Sequence, residues 1–152
     1  MLSDRRRRLF LCLLLCLAGS ALAGCGAEPA ATAPIEVTDA RVRALIPGQD
    51  KTVGYFELTN NTTATLTLLS AEADAARAIE FHTTRLDDGI MRMRRLPEIT
   101  IPAGETIRFQ PGGNHLMLFG VRSLNTDNPV RLYFDDGRAL TVQFRQIAIG
   151  EQ

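Results

Sequence analysis

The sequence predicts an all-β domain, built as a Greek-key β-sandwich or small barrel, and three observations carry that expectation. Short runs alternate apolar and polar residues, turn-forming residues separate the runs, and no long segment repeats apolar residues at helical period. Some eight short strands at near-regular spacing belong to sandwiches and barrels.

The first residues stand apart from this domain. Arg5 to Arg8 form a basic segment, and residues 9–23 form a Leu-rich apolar core too short for a comfortable membrane span. The segment ends in Leu22-Ala23-Gly24-Cys25, which resembles a bacterial lipobox, where the Cys becomes the lipidated first residue after cleavage. The plainer alternative is an ordinary signal peptide cut near Ala23, with Cys25 left as an exposed free thiol. Arg7-Arg8-Leu9-Phe10-Leu11 is similar to a twin-arginine signal, whereas the apolar core favours the general secretory route, so the export pathway stays open. The expected organisation is a lipoprotein signal peptide over residues 1–24, the lipidated Cys25 with a Pro-containing tether to residue 34, and one domain over 35–152.

Within the domain, residues 35–37 and 40–44 alternate weakly, and residues 53–58 read as a strand ending at Asn60-Asn61. Residues 64–69 alternate Thr and Leu, as a half-buried strand should. Residues 79–86 and 90–96 flank Asp87-Asp88-Gly89, a strong hairpin signal. Residues 99–101, 106–109, 115–121, 130–134 and 140–147 follow, broken by Pro-Ala-Gly, Pro-Gly-Gly, Asn-Thr-Asp-Asn and Asp-Asp-Gly turns. The Ala-rich residues 71–79 read either as one or two helical turns or as a lead-in to the next strand.

Charge and cysteine usage narrow the chemistry. Without Asp4 and Arg5 to Arg8, the 17 basic and 17 acidic residues become 13 and 16, a net charge near −3. That argues against a nucleic-acid surface. Cys12 and Cys16 leave with the signal, so Cys25 is the single remaining Cys and the domain has neither a disulfide nor a thiolate site. A blue-copper electron-transfer centre, which needs a Cys thiolate, is thereby excluded.

Both His and three Met fall within residues 82–117, 36 of the 128 residues that remain after cleavage. His115 and Met117 stand two apart on a strand and so share a face. His82 and Met93 lie on the two arms of the hairpin. An even-numbered loop puts positions 82, 84, 91, 93 and 95 on one face, whereas an odd loop puts His82 on the face opposite Met93. Imidazole and thioether are neutral donors, and the thioether is soft. Together they suit Cu(I), whereas zinc usually recruits Cys, His or carboxylates. The bland alternative is that a Met on a strand packs in the core and a His is a satisfied surface or core residue. No nucleophile–base pair accompanies these residues, so the reading is a binding protein, not an enzyme.

The spacing His82, ten residues, Met93, twenty-one residues, His115, one residue, Met117 resembles the H-x10-M-x21-H-x-M signature of the PCuAC family of periplasmic copper(I) chaperones. Gly54-Tyr55-Phe56-Glu57-Leu58-Thr59-Asn60-Asn61 is similar to the family's early strand, and Asp88-Gly89-Ile90-Met91-Arg92-Met93-Arg94 to its Met-rich strand. Ile101-Pro102-Ala103-Gly104 and Pro111-Gly112-Gly113-Asn114-His115-Leu116-Met117-Leu118 resemble two further segments, in the right order. The resemblance implies a cupredoxin-like sandwich that holds Cu(I) through His82, Met93, His115 and Met117. It also implies delivery to the dinuclear copper domain of cytochrome c oxidase, beside a thiol-bearing copper partner. Two departures bear on stoichiometry. His82-Thr83-Thr84 replaces the His-Glu-Met run common in the family, and the chain ends at Gln152 without a Met- and His-rich tail, so one Cu(I) per chain is expected.

Met91 shares a strand face with Met93 and is an auxiliary ligand or a packing residue. Asn114 and Arg94 are near enough in sequence to donate hydrogen bonds around the site. Ligand exchange needs access, so His115 and Met117 are expected near the sandwich edge. The expected location is the periplasm or the outer face of a membrane, lipid-anchored at Cys25. The competing readings are a copper-sequestering lipoprotein without delivery, and an envelope lipoprotein whose His and Met merely pack.

Overall fold

A computed structural model describes residues 33–151, so the readings on the signal segment, on Cys25 and on most of the tether lie outside the described residues. Ten strands follow one another: β1 Ile35–Arg43, β2 Lys51–Asn60, β3 Leu66–Glu72, β4 Ala78–Asp87, β5 Ile90–Leu96, β6 Ile99–Ile101, β7 Thr106–Phe109, β8 Asn114–Phe119, β9 Asp127–Phe134 and β10 Ala139–Ile147. Among the described residues there is no helix. Residues 73–77 form turns and a bend, so the lead-in reading of the Ala-rich segment is the observed one. Its backbone bonds elsewhere, Arg77 N–H to the Phe119 carbonyl at 2.9 Å and the Ala75 carbonyl to Arg122 N–H at 3.3 Å.

The strands hydrogen-bond in the order β5-β4-β8-β7-β2-β1-β10-β9-β3-β6, with β1–β10 and β7–β8 parallel and β2 also pairing with β8. The two weakly alternating segments at the start of the domain are one strand. A bulge between Thr38 and Arg41, with Asp39 at φ 53°, interrupts its pairing with β2 and its alternation.

The sheet folds over its own inner face. Phe56 of β2 stacks on Phe109 of β7 at 4.1 Å and meets Phe144 of β10 edge-on at 5.6 Å. Leu58, Leu68, Leu116 and Leu132, from β2, β3, β8 and β9, are fully buried around them. Each such side chain contributes about 1.5–3 kcal/mol by leaving water. Gly54 belongs to this packing, because a Cβ there would stand 3.3 Å from the Phe144 ring.

Asn60, also fully buried, ties β2 to two turns. Its Nδ2 donates to the carbonyls of Ala64, Ile101 and Pro102, and its Oδ1 accepts from the Thr62 amide and hydroxyl. The segment 54–61 and the Ile-Pro-Ala-Gly turn are thus two sides of one hydrogen-bonded corner.

Candidate metal centre

The β4–β5 hairpin settles the parity question left by the sequence. Asp87 pairs with Ile90, leaving the two-residue loop Asp88-Gly89. Both loop residues have positive φ, 50° and 78°, as a type I′ turn requires, and glycine takes the second at no steric cost. With an even loop, His82 and Thr84 share a face with Met91, Met93 and Arg95.

Strand β8 runs along the other side of β4 and extends the array. His82 lies directly opposite His115, and Glu80 opposite Met117, which in turn faces Val53 of β2. The intervening residues Phe81, Thr83, Leu116 and Leu118 point the other way and are buried in the core. One sheet face therefore carries His82, His115, Met93 and Met117, and the opposite face anchors the strands that hold them.

The two imidazoles are 5.9 Å apart, centroid to centroid, and tilted by 39°. Each has one nitrogen fixed by a group that can only accept. His82 Nε2 donates to the Glu80 carboxylate at 2.9 Å, and His115 Nδ1 donates to the Gly113 carbonyl at 3.0 Å. The remaining nitrogens, His82 Nδ1 and His115 Nε2, are buried with no hydrogen-bond partner. A neutral imidazole held this way presents a lone pair on its free nitrogen. Burial pushes the His115 pKa below its ordinary value, against a smaller opposing effect of the Gly113 carbonyl, and the neighbouring His82 lowers it further. Both features keep the His115 lone pair free of a proton.

Met93 and Met117 line one open cleft of about 300 Å³, together with Arg43, Ile46, Lys51 and Val53. In register terms they lie on opposite diagonals of the histidine pair, and the cleft sets both against residues of the β1–β2 connection. Among the described residues no group of three or more His, Cys, Asp or Glu is placed to hold a metal.

Exposure is distributed differently from expectation. β8 is the third strand in from the β5 end of the sheet and His115 is only 4% exposed, so His115 and Met117 do not lie at the edge. The accessible member is Met93, 55% exposed on edge strand β5. Met91 is equally exposed on the same face, opposite Leu86 at the hairpin tip. The supporting residues also differ. Arg94 is on the other face of β5, bound to Asp87 at 3.1 Å, and Asn114 alternates away from His115. Glu80 and the Gly113 carbonyl hold the imidazoles instead, with Arg95 at 3.6 Å from the second Glu80 oxygen. A period-two count back from His82 is the signal that could have found Glu80. Its carboxyl is held below the usual range, first by the His82 hydrogen bond and then, against partial burial, by Arg95.

Known proteins share this architecture. The family described as "Putative lipoprotein LpqE-like" matches residues 35–145. The Leifsonia xyli subsp. xyli protein named "Putative lipoprotein Lxx21020" is 30% identical over 107 residues, 68% of this chain, and the match spans 63% of that protein's length. Among solved structures, the copper-bound PCuAC domain from PmoF2 superposes with a TM-score of 0.66 at 19% identity, over 77% of this chain and 95% of that one, a likeness of fold. The Cu(I) form of DR1885 from Deinococcus radiodurans superposes with a TM-score of 0.59 at 32% identity, covering 82% of each chain. The chain belongs to the LpqE-like lipoprotein family and has the fold of PCuAC domains.

Proposed function

We propose that this chain is an extracytoplasmic Cu(I) carrier, anchored by a lipid at Cys25, that holds one Cu(I) between His82, Met93, His115 and Met117. The observation that carries this reading is the pair of buried, unpartnered nitrogens, His82 Nδ1 and His115 Nε2, on one face beside two thioethers. Leaving two buried polar atoms unpaired is unfavourable by about 1–3 kcal/mol each, and a ligand-bearing role would satisfy both. Four neutral donors leave the centre with the ion's single positive charge, and soft sulfur selects Cu(I). The copper-bound relatives of the same fold support the choice of metal.

Transfer then proceeds by ligand exchange. The exposed Met93 is the first ligand that an acceptor displaces, Met117 in the cleft follows, and the histidines, held by Glu80 and Gly113, release last. The acceptor that fits is a copper-receiving domain such as the dinuclear copper domain of cytochrome c oxidase, with a thiol-bearing copper protein as a second partner. Met91 stands outside the resting ligand set, at the tip side of Met93.

The test is anaerobic Cu(I) titration of the purified protein against a competing chelator. One equivalent bound tightly, and lost in Met93→Ala/Met117→Ala, is the expected result. Equal affinity in the wild type and the double variant would sink the site. Copper transfer to an isolated oxidase copper domain separates delivery from storage.

A further inference from the structure

The β4–β5 hairpin has two faces, and the copper reading uses only one. The face away from His82 carries Arg85, directly opposite Arg92, and Arg94 beyond it. Arg85, Arg92 and Arg94 line one cleft of about 250 Å³ with Leu86 and Asp87. Asp87 is the single carboxylate there, 3.5 Å from Arg92 and 3.1 Å from Arg94. Two like charges directly across a strand pair oppose each other, so this arrangement is unfavourable in the isolated domain. From Arg85 to Arg95 the chain carries four arginines against Asp87 and Asp88, a surplus of two in a mature chain near −3. The basic surplus therefore sits beside the candidate metal centre, in an acidic molecule.

We infer that edge strand β5 is a docking rail for an extended acidic segment of a partner protein. β5 is the end strand of the sheet order, and residues 90–95 are all exposed. Arg92 and Arg94 are two residues apart, about 7 Å along a strand, the spacing of alternate carboxylates on an extended acidic peptide. Such a peptide supplies backbone partners to a free strand edge and carboxylates to the guanidinium groups. Exposed Leu86, Ile90 and Met91 at the tip provide apolar contact. A partner seated along β5 has its own metal ligands next to Met93, on the opposite side of the same strand. A bilayer is the poorer occupant. Asp87 and Asp88 at the tip oppose anionic headgroups, and a membrane there would cover Met93. The inference rests on the carrier reading only for what the partner receives, because docking itself needs no copper.

The test uses the mature chain from the lipidated Cys25 onward, isotopically labelled and copper-free, in phosphatidylcholine nanodiscs. It is titrated with an alternating Glu–Thr hexapeptide and, separately, with its Lys–Thr counterpart. The expected result is saturable amide shifts concentrated at residues 85–95 with the Glu peptide alone, with affinity falling about tenfold or more as salt rises from roughly 20 to 500 mM. Arg85→Gln/Arg92→Gln/Arg94→Gln should abolish these shifts while leaving the rest of the spectrum in place. Arg85→Glu/Arg92→Glu/Arg94→Glu should reverse the preference toward the Lys peptide. No shift with the Glu peptide would mean an edge merely guarded by charge, and would overturn the inference. Hairpin shifts caused instead by phosphatidylglycerol in the disc would overturn it in favour of the membrane. A failed copper site leaves all of these readouts unchanged, so the two proposals fail separately.

Discussion

Removing the carboxylate that holds His82 should weaken Cu(I) binding through the imidazole, without touching a ligand. The Glu80 carboxylate accepts from His82 Nε2 at 2.9 Å, which fixes the proton there and leaves Nδ1 as the lone-pair nitrogen. In Glu80→Ala the ring loses that constraint, and either tautomer and orientation becomes available. Loss of such an outer partner typically weakens metal binding by about 10–100-fold. Glu80→Gln keeps a neutral acceptor on a side chain of the same length, and neutral hydrogen bonds have roughly half the strength of charged ones. On a logarithmic scale the Gln variant should fall about midway, so a 30-fold loss in Ala corresponds to roughly 5-fold in Gln. Competition titration reads the affinities. Long-range nitrogen–proton spectra of the apo protein read the His82 tautomer, which a purely structural role for Glu80 would leave alone. Wild-type affinity in Glu80→Ala, or an unchanged Nε2–H tautomer in that variant, would show that Glu80 does not hold the His82 imidazole for the metal.

Three further outcomes follow from the same geometry. Met91→Ala should change Cu(I) affinity by no more than about twofold, as surface substitutions within 0.5 kcal/mol do, whereas Met93→Ala should weaken it at least about tenfold, or 1.4 kcal/mol, in parallel titrations. Asn60→Ala removes a buried side chain whose two amide protons and Oδ1 make four bonds at a time to the two turns, and at about 1 kcal/mol per lost bond it should cost about 4 kcal/mol, read as a lower urea midpoint. The apo protein should lose stability in acid on account of His115. Its folded pKa lies below 6.5, so the unfolded chain takes the proton more readily, and stability falls as pH drops below about 6.5 until the folded His115 also charges. His115→Gln should flatten that part of the denaturant-midpoint against pH profile.

Much of this architecture was legible because strands advertise themselves through period two and turns through Gly, Pro, Asn and Asp. The face shared by His115 and Met117 followed from spacing alone, and the hairpin needed only one further fact, its two-residue loop. What escaped were features set by partners distant in sequence. The Ala-rich segment 71–79 has helical propensity, but from Ala78 onward its residues pair with β8, and tertiary pairing overrode local preference. β8 stops at Phe119, short of the expected residue 121, because Gly120 takes φ 63° with the Arg77 side chain packed against it. Asn114 and Arg94 are near the ligands in sequence, yet alternation turns both away from the imidazoles. Glu80 has the right parity, but nothing local says that His82 will turn its Nε2 back along β4. Accessibility was the least legible property. Placing His115 under cover and Met93 on an open edge depends on the order of strands across the whole sheet.

In the proposed centre Cu(I) sits between His82, Met93, His115 and Met117. X-ray absorption at the copper edge of the stoichiometric Cu(I) protein tests it most directly. The expected spectrum has a shell of two imidazole nitrogens and two thioether sulfurs, with one sulfur lost in Met117→Ala and one nitrogen lost in His115→Gln. A shell of nitrogen and oxygen only, or one unchanged by either substitution, would contradict it.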